Sequence, residues 1–143
     1  MSRTPEQRAE LLAVADAGEV VALAERCLAL GAAPAIVAEP EAGLVVLQVR
    51  EPVAGTRFYL CEVLATRAEV AVDGVPGWAM RLGEDRAATL ASAICDAEAE
   101  ARRPLAAEVE ALCDRAAEAE ALQRAAQWRD VAPTIVQFEE LDT

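Results

Sequence analysis

Residues 58–82, FYLCEVLATRAEVAVDGVPGWAMRL, decide the fold. The stretch starts with β-prone residues over 58–64 and continues over 69–72 after a polar break at Thr66-Arg67. It then turns at Asp73-Gly74 and returns through further apolar residues. Asp-Gly is typical of the two-residue type I′ turn, because both central residues of that turn have positive φ. We therefore predict an antiparallel hairpin here. Pro76 and Gly77 weaken the start of the returning strand and indicate an edge position, because proline cannot donate to the ladder.

Further extended segments precede this hairpin. Residues 44–50 are rich in Val and Leu, which favour strands, and alternate side chains along them share a face. Residues 35–38 are a shorter run of the same kind, and a turn over residues 40–43 separates the two. Residues 51–56 form a loop. Because consecutive strands with short links pair as neighbours, we predict an antiparallel meander sheet of about four strands.

A pair of helices is predicted at the N-terminus. Thr4 and Gln7 have the spacing of a capping box, and Pro5 occupies the favoured first helical position. A second helix starts near residue 19, carries apolar residues at helical spacing, and ends at Gly31, which suits the left-handed position after a helix.

Helices return after the sheet. Asp85 can cap a helix that runs to about residue 102, and Pro104 marks a break or a new start before the next helix. The segment 134–138 is a β-prone tail that either joins the sheet or lies on a partner. This order of elements predicts a single α+β domain over residues 1–143, with the helices packed on one face of the sheet.

The charge balance excludes several classes of function. The 143 residues include 13 Arg but no Lys or His, against 25 Asp and Glu, which gives a net charge of −12. Phosphate backbones and anionic membranes repel such a chain, so we expect no nucleic acid partner and no membrane binding. The N-terminus has no apolar signal segment, and no run of about 18 apolar residues occurs, so we expect a cytoplasmic protein.

The absent residue types also restrict the chemistry. Without His or Lys the chain has no imidazole base, no Schiff-base amine and no P-loop lysine. The four cysteines, Cys27, Cys61, Cys95 and Cys113, lack CxxC spacing, so we expect no metal site and no cofactor of the chain's own. We interpret them as reduced and mostly buried. A stand-alone enzyme that uses Cys61 or Tyr59 is the least favoured reading.

Three polar clusters are the candidate sites for a phosphate or a partner, and no residue is assigned a catalytic role. The clusters are Gly55 with Thr56, Thr66 with Arg67, and Asp85 with Arg86. A glycine beside a hydroxyl can cradle a phosphate, and a helix start beside an arginine can face an anion. The structural alternatives are a loop that enters a strand, an ion pair within the sheet, and a simple helix cap.

Arg67 carries the most specific expectation. It lies inside a strand-rich segment, so we expect its guanidinium to be desolvated and held in forked geometry by an anionic partner. That partner is either a carboxylate, with Glu62 and Glu69 nearest in sequence, or a ligand or partner subunit.

Several short motifs follow one another in a fixed order along the chain. They are Gly43-Leu-Val-Val-Leu-Gln-Val-Arg50, Gly55-Thr56 before Phe58, Thr66-Arg67, Asp73-Gly74, Gly77, and Gly83-Glu-Asp-Arg86 at the start of an Ala-rich helix. This ordered set resembles the PhnG-type small subunit of the bacterial carbon–phosphorus lyase system. The likeness spans nearly the whole chain and includes the first helix pair and the tail; the order is specific, whereas no single motif is.

The chain departs from the family pattern in three places. The usual Gly-Gly-Thr-Gly loop is reduced to Ala54-Gly-Thr-Arg57, and the usual Gly-Arg-Asp-Lys reads Gly83-Glu-Asp-Arg86. The usual tail, Thr-Arg-Val-Asp-Phe-Phe, reads Thr134-Ile-Val-Gln-Phe-Glu139 and lacks an Arg and an Asp. We therefore expect a divergent member with altered partner contacts.

The resemblance implies a role in the first step of phosphonate breakdown. In that step an assembly of G-, H-, I- and L-type subunits displaces adenine from ATP with an alkylphosphonate, giving a ribose 1-phosphonate 5-triphosphate. The I-type subunit is thought to supply the nucleosidase chemistry. The resemblance therefore implies a supporting subunit of a hetero-oligomer, with I-, H- and J-type subunits of the core complex as partners. The alternative is a non-catalytic interaction module with no link to phosphonate.

Overall fold

A computed structural model describes residues 3–136 of the chain. The elements are α1 (Pro5–Val14), α2 (Ala17–Ala29), β1 (Ala35–Arg50), β2 (Arg57–Val72), β3 (Val75–Leu82), α3 (Arg86–Glu100), α4 (Ala106–Val131) and a final 3₁₀ turn (Ala132–Thr134). The strands form an antiparallel sheet in the order β1-β2-β3. The α+β prediction is confirmed, with three long strands in place of about four.

The strand number differs because two predicted interruptions lie inside strands. The predicted turn around Pro40 is part of β1, where the pairing with β2 shifts register between Ala38 and Glu41. β1 is an edge strand, so a proline there removes no sheet hydrogen bond if its nitrogen points outward. The polar step at Thr66 does not break β2 either, because its buried hydroxyl donates to the carbonyl oxygen of Gly83 at 2.7 Å.

Local sequence signals position the turns and helix starts well. Asp73 and Gly74 have φ values of 52° and 79°, as the predicted hairpin turn requires. Thr4 and Gln7 form the predicted capping box, and Gly31 follows α2 with a φ of 88°. α2 starts two residues before the predicted position, because Asp16 caps it by accepting from the backbone of Glu19 at 2.9 Å.

Helix α3 is the centre of the fold, and residues 91–99 are all buried. It crosses β3 so closely that a Cβ built on Gly77 would lie 2.2 Å from the carbonyl oxygen of Ala93. Only a residue without a side chain allows this approach. The sheet face that meets α3 carries Ala68, Val70 and Val72 from β2, and α1, α2 and α4 complete the core from the other side of α3.

Two buried carboxylates on α3 tie the elements together. Asp96 accepts from Nε of Arg8 in α1 at 2.6 Å and from the backbone nitrogen of Trp78 in β3 at 3.0 Å. Glu98 accepts from Nε of Arg103 at 2.9 Å and from the backbone nitrogen of Leu105 at 3.0 Å. The hydrogen bond from Leu105 to Glu98 fixes the bend between α3 and α4.

The β-prone tail lies mostly outside the described residues. Thr134 belongs to the final 3₁₀ turn, and Ile135 and Val136 are exposed. Residues 137–138, which complete the predicted segment, lie beyond the part of the chain that the structure describes.

Candidate functional site

The six candidate residues do not all lie together. Gly55 and Thr56 are in the loop between β1 and β2, whereas Thr66 lies ten residues further along β2. At about 3.3 Å per strand residue, that separation is about 30 Å. The candidates therefore do not form one site.

Thr66 and Asp85 both serve the junction between the sheet and α3. The Thr66 hydroxyl holds the carbonyl of Gly83, and the backbone nitrogen of Gly83 donates to Leu64 at 2.9 Å. Asp85 then caps α3 by accepting from the backbone nitrogen of Ala88 at 2.9 Å. Arg86, the first residue of α3, is exposed. The cap predicted from the sequence is confirmed, and an anion-binding role for this corner stays a prediction.

The expectation for Arg67 was wrong. Its side chain is 52% exposed, and its contact with Glu69 is a single long one of 3.9 Å without forked geometry. Arg67 lies opposite Glu41 and Met80 on the sheet face that points away from α3, so water reaches the guanidinium. Glu69 is one of the alternatives that the sequence left open for its partner, but the pair is a surface pair of little energetic weight.

In the loop that carries Gly55 and Thr56, three backbone N–H groups donate hydrogen bonds within the loop itself. The Glu51 carboxylate accepts from the backbone nitrogens of Val53 and Ala54, and the Glu51 carbonyl accepts from that of Gly55 at 3.1 Å. These nitrogens are therefore not available to cradle a phosphate. Phosphate binding by Gly55 and Thr56 stays a prediction, and it would depend on side chains of this loop.

Two arginines face each other at this end of the sheet. Arg50 and Arg57 are paired across β1 and β2, and Nη1 of Arg50 donates to the Gly55 carbonyl at 3.3 Å. Like charges directly opposite one another repel, so an anion or a partner carboxylate would stabilise them.

The remaining reactive groups offer little chemistry. Cys27, Cys95 and Cys113 are buried free thiols, as predicted, and burial raises the pKa of the Cys113 thiol to about 11. Cys61 is exposed, so the prediction of mostly buried cysteines holds for the other three. Between residues 3 and 136, no three His, Cys, Asp or Glu side chains come together as a metal site. No helix in the same range is both long and apolar enough to cross a membrane.

A prominent exposed feature is a two-stranded ribbon, residues 44–64, formed by the outer parts of β1 and β2 and their loop. None of its residues is buried. One face carries Val45, Leu47 and Val49 opposite Val63, Cys61 and Phe58, and the other carries Leu44, Val46 and Tyr59 among its side chains. Leu44 is 66% exposed and Tyr59 is 73% exposed. The ribbon is thus apolar on both faces and projects from the core.

Sequence reasoning did not identify this ribbon as a site, although a signal was present. The run Leu44-Val-Val-Leu47 places apolar residues at consecutive positions, so both faces of the strand are apolar. Such runs are typical of strands covered on both faces. In this fold α3 covers only the inner end of the sheet, and no part of residues 3–136 buries the ribbon.

The fold and the ribbon define a class: an α+β chain in which two of the polar candidate residues, Thr66 and Asp85, support the chain's own structure, and from which an exposed apolar ribbon projects. The family model described as "Phosphonate metabolism protein PhnG" matches residues 3–142. The chain belongs to this family, and the resemblance deduced from the ordered motifs is confirmed. A search of the curated proteins gave no match.

Proposed function

We propose that this chain is a subunit of the carbon–phosphorus lyase system that supports the displacement of adenine from ATP by an alkylphosphonate. Membership of a phosphonate metabolism family supports the pathway. The observation that carries the role of a subunit is the ribbon, since residues 44–64 contribute nothing to the chain's own core.

The ribbon has the features of an incomplete interface. Its exposed Leu, Val, Phe and Tyr side chains form an apolar surface on both faces, and such surfaces mark association sites in folded proteins. The outer edge of β1 also has unpaired backbone groups, because the sheet ends there. A partner strand beside β1 would complete both the hydrogen bonding and the apolar packing. We propose an I-type subunit as this partner, with H- and J-type subunits in the same assembly.

A supporting role fits the charge and the inventory of side chains. ATP and phosphonates are anionic, and a chain with a net charge of −12 repels them unless local arginines compensate. The chain has no His or Lys to move a proton, and three of its four thiols are buried. We infer that the reacting groups come from a partner in the cytoplasm and that this chain holds no cofactor of its own.

Co-expression with the I-, H- and J-type subunits tests the proposal. We expect the wild-type chain to co-purify with them and the assembly, once the L-type subunit is added, to release adenine from ATP and an alkylphosphonate. Leu47→Asp and Phe58→Asp should abolish co-purification, because each places a charge in the apolar interface. Leu122→Asp, at an exposed position on α4, is the matched control and should assemble normally.

The alternative, an interaction module without a link to phosphonate, makes a different prediction. The ribbon variants would then have no effect on phosphonate-dependent adenine release by the other subunits, and the wild-type chain would not co-purify with them. Adenine release by this chain alone would contradict a supporting role.

A further inference from the structure

A second exposed apolar surface lies at the other edge of the sheet from β1, between α1 and β3. It is a groove of about 650 Å³. Its α1 wall is made of Pro5, Glu6, Ala9, Glu10, Ala13 and Val14, and its β3 wall is made of Trp78, Met80 and Leu82. The volume is in the range of pockets that bind a large side chain or a small ligand.

The shape of the groove favours an apolar occupant. Ala9 and Ala13 are one turn apart on α1 and leave space beside the indole of Trp78, which is 40% exposed. Small residues on one wall and an aromatic side chain on the other form the kind of pocket in which an interface anchor is buried.

The rim of the groove is acidic and unbalanced. Glu6 and Glu10 lie one turn apart, and neither forms an ion pair with any residue between 3 and 136. The arginines nearest in sequence are engaged elsewhere: Arg3 pairs with Glu110 and Asp114, and Arg8 pairs with Asp96 and Glu100. The fold thus leaves two carboxylates for a cation from outside.

We propose that this groove binds a segment of a partner subunit that inserts a large apolar side chain and places an Arg or Lys against Glu6 and Glu10. An anionic ligand such as ATP or a phosphonate would be repelled by the rim. The chain's own terminal residues are also disfavoured, because 137–143 include Glu139, Glu140 and Asp142 but no cation. The identity of the partner rests on the proposed function, whereas the groove is separate from the ribbon.

Neutralising the rim in the co-expressed assembly tests this inference. We expect Glu6→Gln/Glu10→Gln to weaken association about tenfold, or about 1.4 kcal/mol. The matched control, Glu25→Gln/Glu118→Gln, removes two exposed carboxylates that do not line the groove and should associate as the wild type does. Thermal melts of the isolated variants should match the wild type, because both pairs are exposed.

A photo-crosslinking residue at Val14 identifies the occupant. We expect it to crosslink to a segment of a partner subunit that carries apolar residues and an Arg or Lys, and the same residue at Leu28 on α2 should not. A crosslink to an acidic segment, to residues 137–143 of the chain itself, or to nothing overturns the inference. Wild-type assembly together with unaffected groove variants overturns the groove alone, whereas failure of the wild-type chain to assemble overturns the proposed function as well.

Discussion

Gly77 is the glycine at which the fold leaves the least room for an added side chain. A Cβ at this position would lie 2.2 Å from the Ala93 carbonyl oxygen and 2.6 Å from the Ala97 nitrogen, both of them backbone atoms of a central helix. We expect Gly77→Ala to lower the free energy of unfolding by about 3 kcal/mol, the upper end for overpacking, because a backbone cannot rotate away. Urea unfolding measures the change.

Gly43 provides the matched control for this substitution. It lies in a strand of the same sheet, but a Cβ there would have no neighbour within 4 Å. Gly43→Ala should change stability by less than about 0.5 kcal/mol. Equal stability of the two variants would mean that α3 does not approach β3 as described.

Arg8, and not Arg67, is the arginine on which stability depends. Arg8 is 1% exposed and binds Asp96 and Glu100, whereas Arg67 is 52% exposed. We expect Arg8→Met to cost about 3–5 kcal/mol, because Asp96 keeps its buried charge without a partner. Arg67→Met should cost less than about 0.5 kcal/mol. Thermal or chemical unfolding of both variants checks the contrast, and a large loss for Arg67→Met alone would reverse the assignment.

The sequence predicted single-residue features correctly where the interacting residues are close together in the chain. The Thr4 box, the Asp85 cap and the Asp73-Gly74 turn each depend on residues within three or four positions of one another. The buried arginine could not be identified in the same way, because Arg8 and Asp96 are separated by 88 positions. Nothing near Arg8 in the sequence distinguishes it from the other arginines.

At the scale of elements, an ion pair joins α2 to α4. Both Nη atoms of Arg26 donate to the two carboxylate oxygens of Glu108, one of them at 2.7 Å, and these bonds lower the pKa of Glu108. A carboxylate whose pKa is lowered in the folded state stabilises the fold at pH values above the ordinary pKa of glutamate. The contribution is lost as the pH falls through the lowered pKa.

Arg26→Gln should raise the pKa of Glu108 towards the ordinary value of about 4.3. An NMR titration of the Glu108 side-chain carboxyl carbon measures this pKa directly. Arg86→Gln changes another exposed arginine, at the start of α3, and should leave the Glu108 titration unchanged. An identical titration in Arg26→Gln would show that the pair does not form in solution.

The extent of the strands was the part of the element pattern that the sequence could not supply. Pro40 normally argues against a strand, but an edge strand tolerates it, and edge status depends on the whole sheet. Thr66-Arg67 looks like a break because its partner, the Gly83 carbonyl, belongs to a later segment. The class of the fold was nevertheless predictable, since helical and strand periodicities occupy separate thirds of the chain.

At the scale of the molecule, the ribbon should be separable from the rest of the fold. Leu44 and Leu64 are paired, so an Asn-Gly turn can join them directly and replace residues 45–63. We expect the shortened chain to keep a cooperative melt close to that of the wild type, because no core residue is removed. It should also fail to co-purify with the other subunits.

Circular dichroism melts and co-purification measure these two properties of the shortened chain. Loss of the cooperative melt would show that the ribbon supports the core after all. Normal assembly without the ribbon would shift the main interface to another surface, such as the groove between α1 and β3.

The family could be identified from the sequence, whereas the exposed apolar surfaces of this chain could not be located from it. The ordered motifs led to the PhnG family because each is a short string of residues. The roles of the residues in these motifs were harder to predict, since Thr66 and Asp85 mainly stabilise the fold and Arg67 is solvated. The apolar run at residues 44–47 indicates a strand with two apolar faces, but only the packed chain shows that both faces remain uncovered.

The open edge of β1 has a consequence for gene dosage. A copy synthesised in excess of the partner proposed above presents the open edge of a 16-residue strand to every neighbouring chain. The lifetime of such an orphan copy is then set by proteases and by precipitation, and not by how firmly its core is folded. A cell that makes this protein gains by matching its rate of synthesis to that of the partner, from one transcript or by rapid degradation of the surplus.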